Sequence, residues 1–308
     1  MRIVFMGTPE FAVPSLEAVA AVHEVTLVIT RPDAVRKRGK KLEPCAIKKR
    51  AYELGLPVLE TSRMTPKALD AVREARPEII VVAAYGCILP DELLAIPSID
   101  CINVHASSLP RWRGAAPIQR AILAGDIRAG VSIMRVVHEL DAGAYCAQAD
   151  LVVGSSNTAE LTQRLSVLGA QTLVEVLPAL ADGSAVWTEQ DESCVTYAHK
   201  VTKAEMFLSP EFSAQHNAVL VQASSDTAPA RLVLAHKGVR VLQASVVPAV
   251  DEIAIAAGEV VVEHGRVYLG CAQGLLELLV VRPDGKRDMS AQAWSAGLRG
   301  EGLTWAKQ

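Results

Sequence analysis

Residues 79–84 read IIVVAA, a run in which no polar residue alternates with the apolar ones. A strand of this kind needs apolar cover on both faces, and in a parallel sheet two layers of helices provide it. Three other β-rich runs, RIVFM at 2–6, VTLVIT at 25–30 and CINVH at 101–105, are separated by segments with helical patterns. This alternation predicts an α/β domain with a doubly wound, mainly parallel sheet of the Rossmann-like kind.

The helices of this domain are predicted from apolar periodicity and from signals at their ends. Thr8 is suited to cap the first helix, and Pro9 is suited to its first helical position. A long pattern at the end is expected to complete the domain. The predicted helices are 9–20, 43–54, 66–75, 115–123 and 158–181, and two further strands are 130–136 and 145–153.

Past residue 188 the sequence changes to short β-branched runs separated by turn residues. Strands at this spacing indicate a small barrel or a sandwich, and an OB-like barrel fits the available length. We expect an α/β domain over 1–189, a linker over 190–207 and a smaller C-terminal β-barrel domain over 208–308. The predicted strands are 219–222, 231–234, 239–246, 258–263, 266–271 and 275–281.

Length and composition are those of an ordinary globular protein. The 308 residues correspond to about two domains, and 50% of them are hydrophobic. The longest apolar run, 79–89, is too short to cross a bilayer, and the N-terminus lacks the pattern of a secretory signal. The six cysteines form no CxxC pair, which argues against zinc and gives no reason to propose disulfides. We expect a cytoplasmic monomer without a metal or a membrane partner.

Positive charge is concentrated in one segment of the chain. Nine basic residues against two acidic ones give residues 31–50 a formal charge of +7, whereas the whole chain carries −3. A solvated helix face is the ordinary interpretation of such a run. Pro32 and Gly39 interrupt any regular element here, so we expect an exposed loop, on which clustered Lys and Arg would suit a polyanionic partner.

The turn after the first predicted strand contains Gly7, Thr8 and Pro9. A dinucleotide-binding domain would carry its glycine fingerprint at this place, but the GxGxxG pattern does not occur. Nicotinamide binding is therefore disfavoured, and a tight strand-to-helix turn is the better interpretation.

Candidate catalytic groups begin with Asn103 and His105, which lie two residues apart on a predicted strand and so point to the same face. A polar loop, 106–117, follows at the strand's carboxyl end, where open α/β sheets bind their ligands. Asp141 adds a carboxylate in a predicted turn. The structural alternatives are a core histidine, a surface loop with a buried Trp112, and ordinary turn chemistry at Asp141.

These motifs resemble a known family. INVHASSLPRWRGAAPIQRAILAGD at 102–126, followed by ELDAGAY at 139–145, is similar to the N-formyltransferases that use 10-formyltetrahydrofolate. The opening MRIVFMGTPEFAVPSLEAV and the segments RPDAVRKRGKKLEP, VVAAYGCILP and TYAHKVTKAE resemble the members that act on tRNA. The resemblance spans nearly the whole chain. It implies transfer of a formyl group from 10-formyltetrahydrofolate to the α-amino group of methionyl initiator tRNA, for translation initiation, without a metal.

The resemblance also implies roles for individual residues. The family's catalytic trio corresponds to Asn103, His105 and Asp141, and the barrel domain would hold the body of the tRNA. The folate-binding residues would be Tyr85, Gly86, Cys87, Ile88, Leu89, Pro90, Ser108, Leu109, Pro110 and Leu140. The tRNA-binding residues of the basic loop would be Arg36, Lys37, Arg38, Gly39, Lys40 and Lys41.

Two other functions fit parts of the sequence. A sister formyltransferase that acts on a small amine, such as a nucleotide amino-sugar or glycinamide ribonucleotide, would keep the trio but would not need a +7 loop. A non-catalytic nucleic-acid-binding protein would use the loop and the barrel, and the trio would have only a structural role. Folate binding separates this last class from the enzymes.

Overall fold

The computed structural model describes residues 1–35, 42–247, 255–298 and 303–307. The chain divides into two compact units. The first contains residues 1–118, 128–152 and 161–198, and the second contains residues 119–127, 153–160 and 199–308. The first unit thus extends to Ala198, and the expected division into 1–189, a linker and 208–308 stays a prediction.

The first unit is built on a twisted α/β sheet. In chain order its elements are β1 (Arg2–Gly7), α1 (Val13–Val22), β2 (Glu24–Thr30), β3 (Ala34–Val35), β4 (Leu42–Glu43), α2 (Ala46–Glu53), β5 (Val58–Glu60), α3 (Pro66–Ala75), β6 (Ile79–Ala83), α4 (Asp91–Leu94), β7 (Asp100–His105), α5 (Pro117–Leu123), β8 (Arg128–Arg135), β9 (Tyr145–Val152) and α6 (Thr158–Ala181). Helices α5 and α6 each have residues in both units.

Within the described residues the sheet of the first unit has seven strands in the order β5-β2-β1-β6-β7-β8-β9. The first five strands in this order run parallel, and β8 and β9 are antiparallel additions at one edge. The prediction of a mainly parallel, doubly wound sheet is confirmed. The strand order reverses between β1 and β6, which is where such sheets form a crevice for ligands.

Apolar packing explains why the unbroken run forms a central strand. All five residues of β6 are buried. On one face of the sheet, Ile80 and Val82 belong to a core cluster with Leu69 and Val72 of α3. Helix α6 packs on β7 and β8, where a side chain at Gly169 would meet Val104 and Val131. By length and composition α6 could also span a bilayer, but nine of its residues are buried in the fold.

The first helix begins later than the sequence predicts. A 3-10 turn at Glu10–Ala12 precedes α1, and Pro14, not Pro9, stands in the helix's first turn. Thr8 does not cap this helix, because the N-cap position is Ala12. The Thr8 hydroxyl donates instead to the carbonyl of Tyr85 at 3.3 Å. The tight strand-to-helix turn is thereby tied to the segment that follows β6.

The second unit is an antiparallel, nearly closed barrel, which confirms the OB-like expectation. The sheet order is β12-β13-β14-β11-β10-β16, and β15 pairs with β14. A bridge between Glu259 and Thr304 brings the two ends of this order together. Its elements are α7 (Ala214–Gln222), β10 (Arg231–Leu234), β11 (Lys237–Val246), β12 (Val260–Glu263), β13 (Arg266–Gly270), β14 (Leu275–Pro283), β15 (Met289–Ser290), α8 (Ala291–Ser295) and β16 (Trp305–Ala306).

One predicted strand of this unit is wrong. Residues 219–222 form the last turn of helix α7, although two valines favour a strand there. The helix begins at Ser213, whose hydroxyl accepts from the N–H of His216 at 3.1 Å. Its buried residues include Ala214, Asn217 and Leu220, which follow helical spacing. The capping serine and the burial period outweigh the preference of the valines.

Replacing Gly169 by Val should destabilise the first unit. A Cβ at this position would lie 2.8 Å from a methyl carbon of Val104, a buried strand residue with little freedom to move. Overpacking of this kind costs about 1–3 kcal/mol, more than the gain in helix propensity over glycine. Urea unfolding measures the loss. Gln171→Val places the same side chain on the exposed side of α6 and serves as the control; equal midpoints for the two variants would contradict this packing.

Candidate functional site

The candidate catalytic residues lie at the carboxyl end of β7, one strand away from the crevice of the sheet. Asn103 and His105 occupy alternate positions of β7, and His105 pairs across the sheet with Ser132 of β8. The His105 side chain is 7% exposed and the Asp141 side chain 13%. The structure therefore brings His105 and Asp141 together in a nearly buried place, and Asn103 lies on the same strand face as His105.

Both ring nitrogens of His105 meet oxygen acceptors. Nε2 lies 3.0 Å from the carbonyl oxygen of Trp112, and Nδ1 lies 3.6 Å from Oδ2 of Asp141. A carbonyl can only accept, so a hydrogen bond to Trp112 requires the tautomer with the proton on Nε2. The Asp141 contact becomes an ion pair when the ring is charged, which gives the histidine an orienting carboxylate.

Asp141 is fixed by backbone geometry as well as by hydrogen bonds. Its φ of 52° lies in the left-handed region, which Asp tolerates better than most residues. The N–H of Gly114 donates to Oδ2 at 2.9 Å. The amide of Gln190 donates to the carbonyls of Asp141 and Gly143, at 2.8 Å each. The carboxylate is thus delivered to His105 by a turn that is held from more than one side.

The polar loop after β7 is anchored to β8 through one serine. The hydroxyl of Ser132 donates to the carbonyl of Ser107 at 2.7 Å and accepts from the N–H of Leu109 at 3.1 Å. Gln148 donates to the carbonyl of Leu109 at 2.8 Å and to the Ser132 hydroxyl at 2.9 Å. The segment Ser108, Leu109 and Pro110 therefore has a fixed backbone beside His105.

The segment 85–90 forms a second wall at the end of β6. Tyr85 is buried, its hydroxyl donates to the carbonyl of Thr61 at 2.9 Å, and burial raises its pKa far above the ordinary value. The thiol of Cys87 donates to the carbonyl of Ser62 at 3.0 Å. Gly86 has a φ of 75°, which favours glycine. Leu89 and Pro90 are half-buried and continue the segment to α4.

Two apolar side chains of the predicted folate site are exposed. Ile88 is 89% exposed and Leu140 is 69% exposed. The loops that carry them converge, because His138 Nδ1 lies 3.8 Å from Asp91 Oδ1. Exposed apolar side chains beside buried polar groups are typical of a small-molecule site. The arrangement offers exposed apolar surface next to hydrogen-bonded backbone.

The predicted tRNA-binding residues 36–41 lie outside the described residues. The chain leaves and re-enters the described fold through the β3–β4 pair, where Ala34 faces Glu43. Lys48 lies 2.8 Å from Asp33 and 2.7 Å from Glu60, and Arg50 lies 2.6 Å from Glu17. Lys48 and Arg50 are therefore engaged in ion pairs within the fold, in the part of the +7 segment that the structure describes.

Several residues of the site were not identified from the sequence. Gly114, Ser132 and Gln190 hold the parts together, and Arg113 is 1% exposed while it binds Gln190 and Glu192. Each of these contacts joins residues that are far apart along the chain, so local periodicity carries no signal for them. Within the described residues no cluster of three or more His, Cys, Asp or Glu side chains could hold a metal ion.

Comparison with known proteins gives two family matches that together span most of the chain. Residues 1–177 match a profile described as formyl transferase, and residues 200–299 match one described as formyl transferase, C-terminal domain. The methionyl-tRNA formyltransferase of Methylococcus capsulatus is 43% identical over 95% of this chain and 95% of its own length. The corresponding protein of Stenotrophomonas maltophilia is 42% identical over 94% and 95%.

Solved structures share the fold at low identity. HypX from Aquifex aeolicus, in complex with tetrahydrofolic acid, gives a TM-score of 0.66 at 17% identity over 96% of this chain and 46% of HypX. WlaRD, a sugar 3N-formyl transferase determined with dTDP and 5-N-formyl-THF, gives 0.66 at 12% identity over 93% of this chain and 99% of its own. At these identities the likeness supports the fold alone.

Replacing Gly114 by Ala should strain the site. Its φ of 120° is poorly accessible to other residues, and a Cβ would lie 3.0 Å from the carbonyl oxygen of Ala198. We expect a loss of about 1–3 kcal/mol in the free energy of unfolding, measured by urea titration. Gly125→Ala is the control, because Gly125 also has a positive φ but nothing lies within 4 Å of its added Cβ. A smaller loss at Gly114 than at Gly125 would contradict the crowding.

Proposed function

The chain belongs to the methionyl-tRNA formyltransferase family, and from that premise we propose that Asn103, His105 and Asp141 are its catalytic residues. The reaction transfers the formyl group of 10-formyltetrahydrofolate to the α-amino group of methionyl initiator tRNA. The observation that carries this function is the identity of about two residues in five with methionyl-tRNA formyltransferases along nearly the full length of both chains. The nearly buried His105–Asp141 contact supports the assignment of the residues.

The transfer requires one group that stabilises an oxyanion and one that accepts a proton. Attack of the amine on the formyl carbon turns the carbonyl oxygen into an oxyanion, and the attacking nitrogen must lose a proton. Asn103 offers an amide N–H that can stabilise the oxyanion, and loss of one such donor costs about 10²–10³ in rate. The residue is half-buried, and its backbone is held in strand β7 between β6 and β8.

We assign His105 and Asp141 to proton transfer and to the stabilisation of charge. The imidazole can stabilise the oxyanion when it is charged, or carry the proton from the amine to the leaving nitrogen of the folate. Asp141 orients the ring and compensates its positive charge across the 3.6 Å contact. Because no covalent intermediate on the enzyme is required, neither a serine nor a cysteine needs to act as nucleophile.

We assign binding of the formyl donor to the segments 85–90 and 108–110, which follow β6 and β7. The fixed backbone of 85–90 and 108–110 offers hydrogen-bonding groups, and Ile88 and Leu140 offer apolar surface for a ring system. These residues fit 10-formyltetrahydrofolate, which combines a flat heterocycle with a polar edge. Its formyl carbon must come within reach of the His105–Asp141 pair.

The tRNA is assigned to the basic loop and to the barrel. Arg36, Lys37, Arg38, Lys40 and Lys41 carry most of the positive charge that is not used in the ion pairs of Lys48 and Arg50. Phosphate contacts by such a loop would hold the acceptor end of the initiator tRNA, and the OB-like barrel would hold its body. A small-amine substrate has no need of this loop.

A formyl-transfer assay tests the function and the catalytic residues together. The purified protein with 10-formyltetrahydrofolate should formylate methionyl initiator tRNA and not methionyl elongator tRNA. Asn103→Ala should lower kcat by about 10²–10³, and His105→Ala and Asp141→Asn by about 10² or more, with little change in the KM for tRNA. Asn retains the left-handed backbone and an acceptor for Gly114, so Asp141→Asn isolates the charge. No transfer to the initiator by the wild type would contradict the function, and wild-type turnover in the variants would contradict the trio.

Neutralising Arg38, Lys40 and Lys41 by Gln should weaken tRNA binding and flatten its salt dependence. Each lost phosphate contact lowers the slope of log K against log salt by about 0.7–0.9. Binding of methionyl initiator tRNA at a series of KCl concentrations measures the slope. Replacing Arg63, Lys67 and Arg73 by Gln removes the same charge from exposed positions of the first unit and should leave the slope unchanged. Equal slopes for the two triple variants would mean that these basic residues are a solvated surface and do not contact the tRNA phosphates.

A further inference from the structure

We propose that Gln190 is a positioning residue for the transfer reaction, and that it acts by holding the turn that carries Asp141. The inference rests on the proposed function, because it takes Asp141 as a catalytic residue. Gln190 belongs to the segment that follows helix α6, which the sequence suggests is a linker. In the structure this residue is buried and makes three hydrogen bonds, two to the Asp141 turn and one to Arg113.

The hydrogen bonds of the Gln190 side chain use both of its polar atoms. Nε2 donates to the carbonyls of Asp141 and Gly143, at 2.8 Å each, and Oε1 accepts from Nε of Arg113 at 2.8 Å. Carbonyls can only accept and a guanidinium can only donate, so the amide has a single acceptable orientation. The residue therefore connects the Asp141 turn to Arg113 in one fixed geometry.

Gln190 contributes two short hydrogen bonds to the backbone of this turn, whose own bond from the N–H of Ala142 to the carbonyl of Glu139 is long, at 3.4 Å. Residues 137–140 before Asp141 are exposed, and Asp141 itself has a positive φ. Behind it, Gly143 approaches the carbonyl of Arg135 so closely that a side chain would not fit. A displacement of about 1 Å in a catalytic group can cost 10²-fold in rate. The 3.6 Å contact between Asp141 and His105 is therefore sensitive to the two bonds from Gln190.

Arg113 provides the fixed point behind Gln190. Its side chain is 1% exposed, and besides Gln190 it binds Glu192 at 2.7 Å. Burial of a charge is costly unless it is paired and hydrogen-bonded, so these partners hold the guanidinium in place. The next residue, Gly114, donates its N–H to the carboxylate of Asp141. Arg113 and Gln190 thus fix Asp141 at its side chain and at its main chain together.

Backbone pairing joins the same two segments. The N–H of Arg113 donates to the carbonyl of Thr196 at 2.9 Å, and the N–H of Ala198 donates to the carbonyl of Arg113 at 2.7 Å. The catalytic loop and residues 190–198 therefore form one hydrogen-bonded assembly within the first unit. A segment that the sequence suggests is a connection is an integral part of the site.

Two substitutions separate the contacts of Gln190. Gln190→Met keeps the size of the side chain and removes all three hydrogen bonds. Gln190→Glu keeps an acceptor for Arg113 but turns a carboxylate oxygen toward the two carbonyls of the turn. Gln222→Ala is the matched control, because Gln222 also donates one amide nitrogen to two loop carbonyls, those of Gly154 and Ser156, in the second unit.

The experiment measures single-turnover formylation of methionyl initiator tRNA, with rates expressed per folate-binding site so that misfolded protein does not count. We expect Gln190→Met and Gln190→Glu to lower the maximal rate about tenfold or more, with an unchanged tRNA concentration for half-maximal rate, and Gln222→Ala to change the maximal rate less than about twofold. In an Asp141→Asn background the two Gln190 substitutions should cost less than about twofold, because the group that they displace is already disabled.

Two results would overturn the proposal. Rates within twofold of wild type in both Gln190 variants would show that the turn holds itself. A loss as large in the Asp141→Asn background as in the wild type would show that Gln190 supports the fold and not Asp141. A wild type that forms no formylmethionyl-tRNA would instead remove the proposed function, and this is seen before any variant is compared.

Discussion

The structure of the site depends on one constraint: the carboxylate of Asp141 lies beside His105 and is largely withdrawn from water. A charge that is largely withdrawn from solvent is costly unless donors surround it. Asp141 meets this demand with the N–H of Gly114 and with the imidazole of His105. The requirement agrees with a glycine at position 114, whose φ of 120° suits glycine and whose added Cβ would lie 3.0 Å from the carbonyl oxygen of Ala198. It also accounts for the left-handed turn that directs the carboxylate inward.

The parallel sheet brings the other parts of the site to the same place. Strands β1, β6 and β7 end at one edge, and the loops after β6 and β7 hold the residues assigned to the folate. Ser132 on the antiparallel strand β8 fixes the second of these loops, and Thr8 after β1 is tied to the first. Rigid strands thus carry Asn103 and His105, and anchored loops carry the groups assigned to substrate binding. Catalytic groups on rigid elements with supported loops around them are typical of efficient sites.

Much of the fold could be predicted because its determinants are local. The run IIVVAA predicts a strand covered on both faces, and the other parallel strands β1, β2 and β7 follow from similar β-rich composition. The helical structure of residues 219–222 could not be predicted in this way, because it depends on the cap at Ser213 and on the burial of Asn217. The predicted start of α1 is also wrong, because a 3-10 turn at Glu10–Ala12 precedes the helix. Thr8 contacts Tyr85, a residue far along the chain, which local patterns do not show.

The candidate site was predictable only in part, for a related reason. Alternation along a strand places Asn103 and His105 on one face, but no spacing rule brings Asp141 to them, and its assignment comes from the family resemblance. Gln190 and Arg113 carry no local signal at all, since their roles exist only after the chain has folded. The tRNA-binding role of residues 36–41 and the domain division stay predictions.

The central claim is that Asp141 works through His105, and a double-mutant cycle in single-turnover formylation tests it most directly. His105→Ala, Asp141→Asn and the double variant are compared with the wild type at saturating folate and tRNA. The account predicts that Asp141→Asn, which slows the wild type strongly, changes the rate of His105→Ala by less than about twofold. Multiplicative losses in the double variant would contradict it, because they would mean that the two residues act independently.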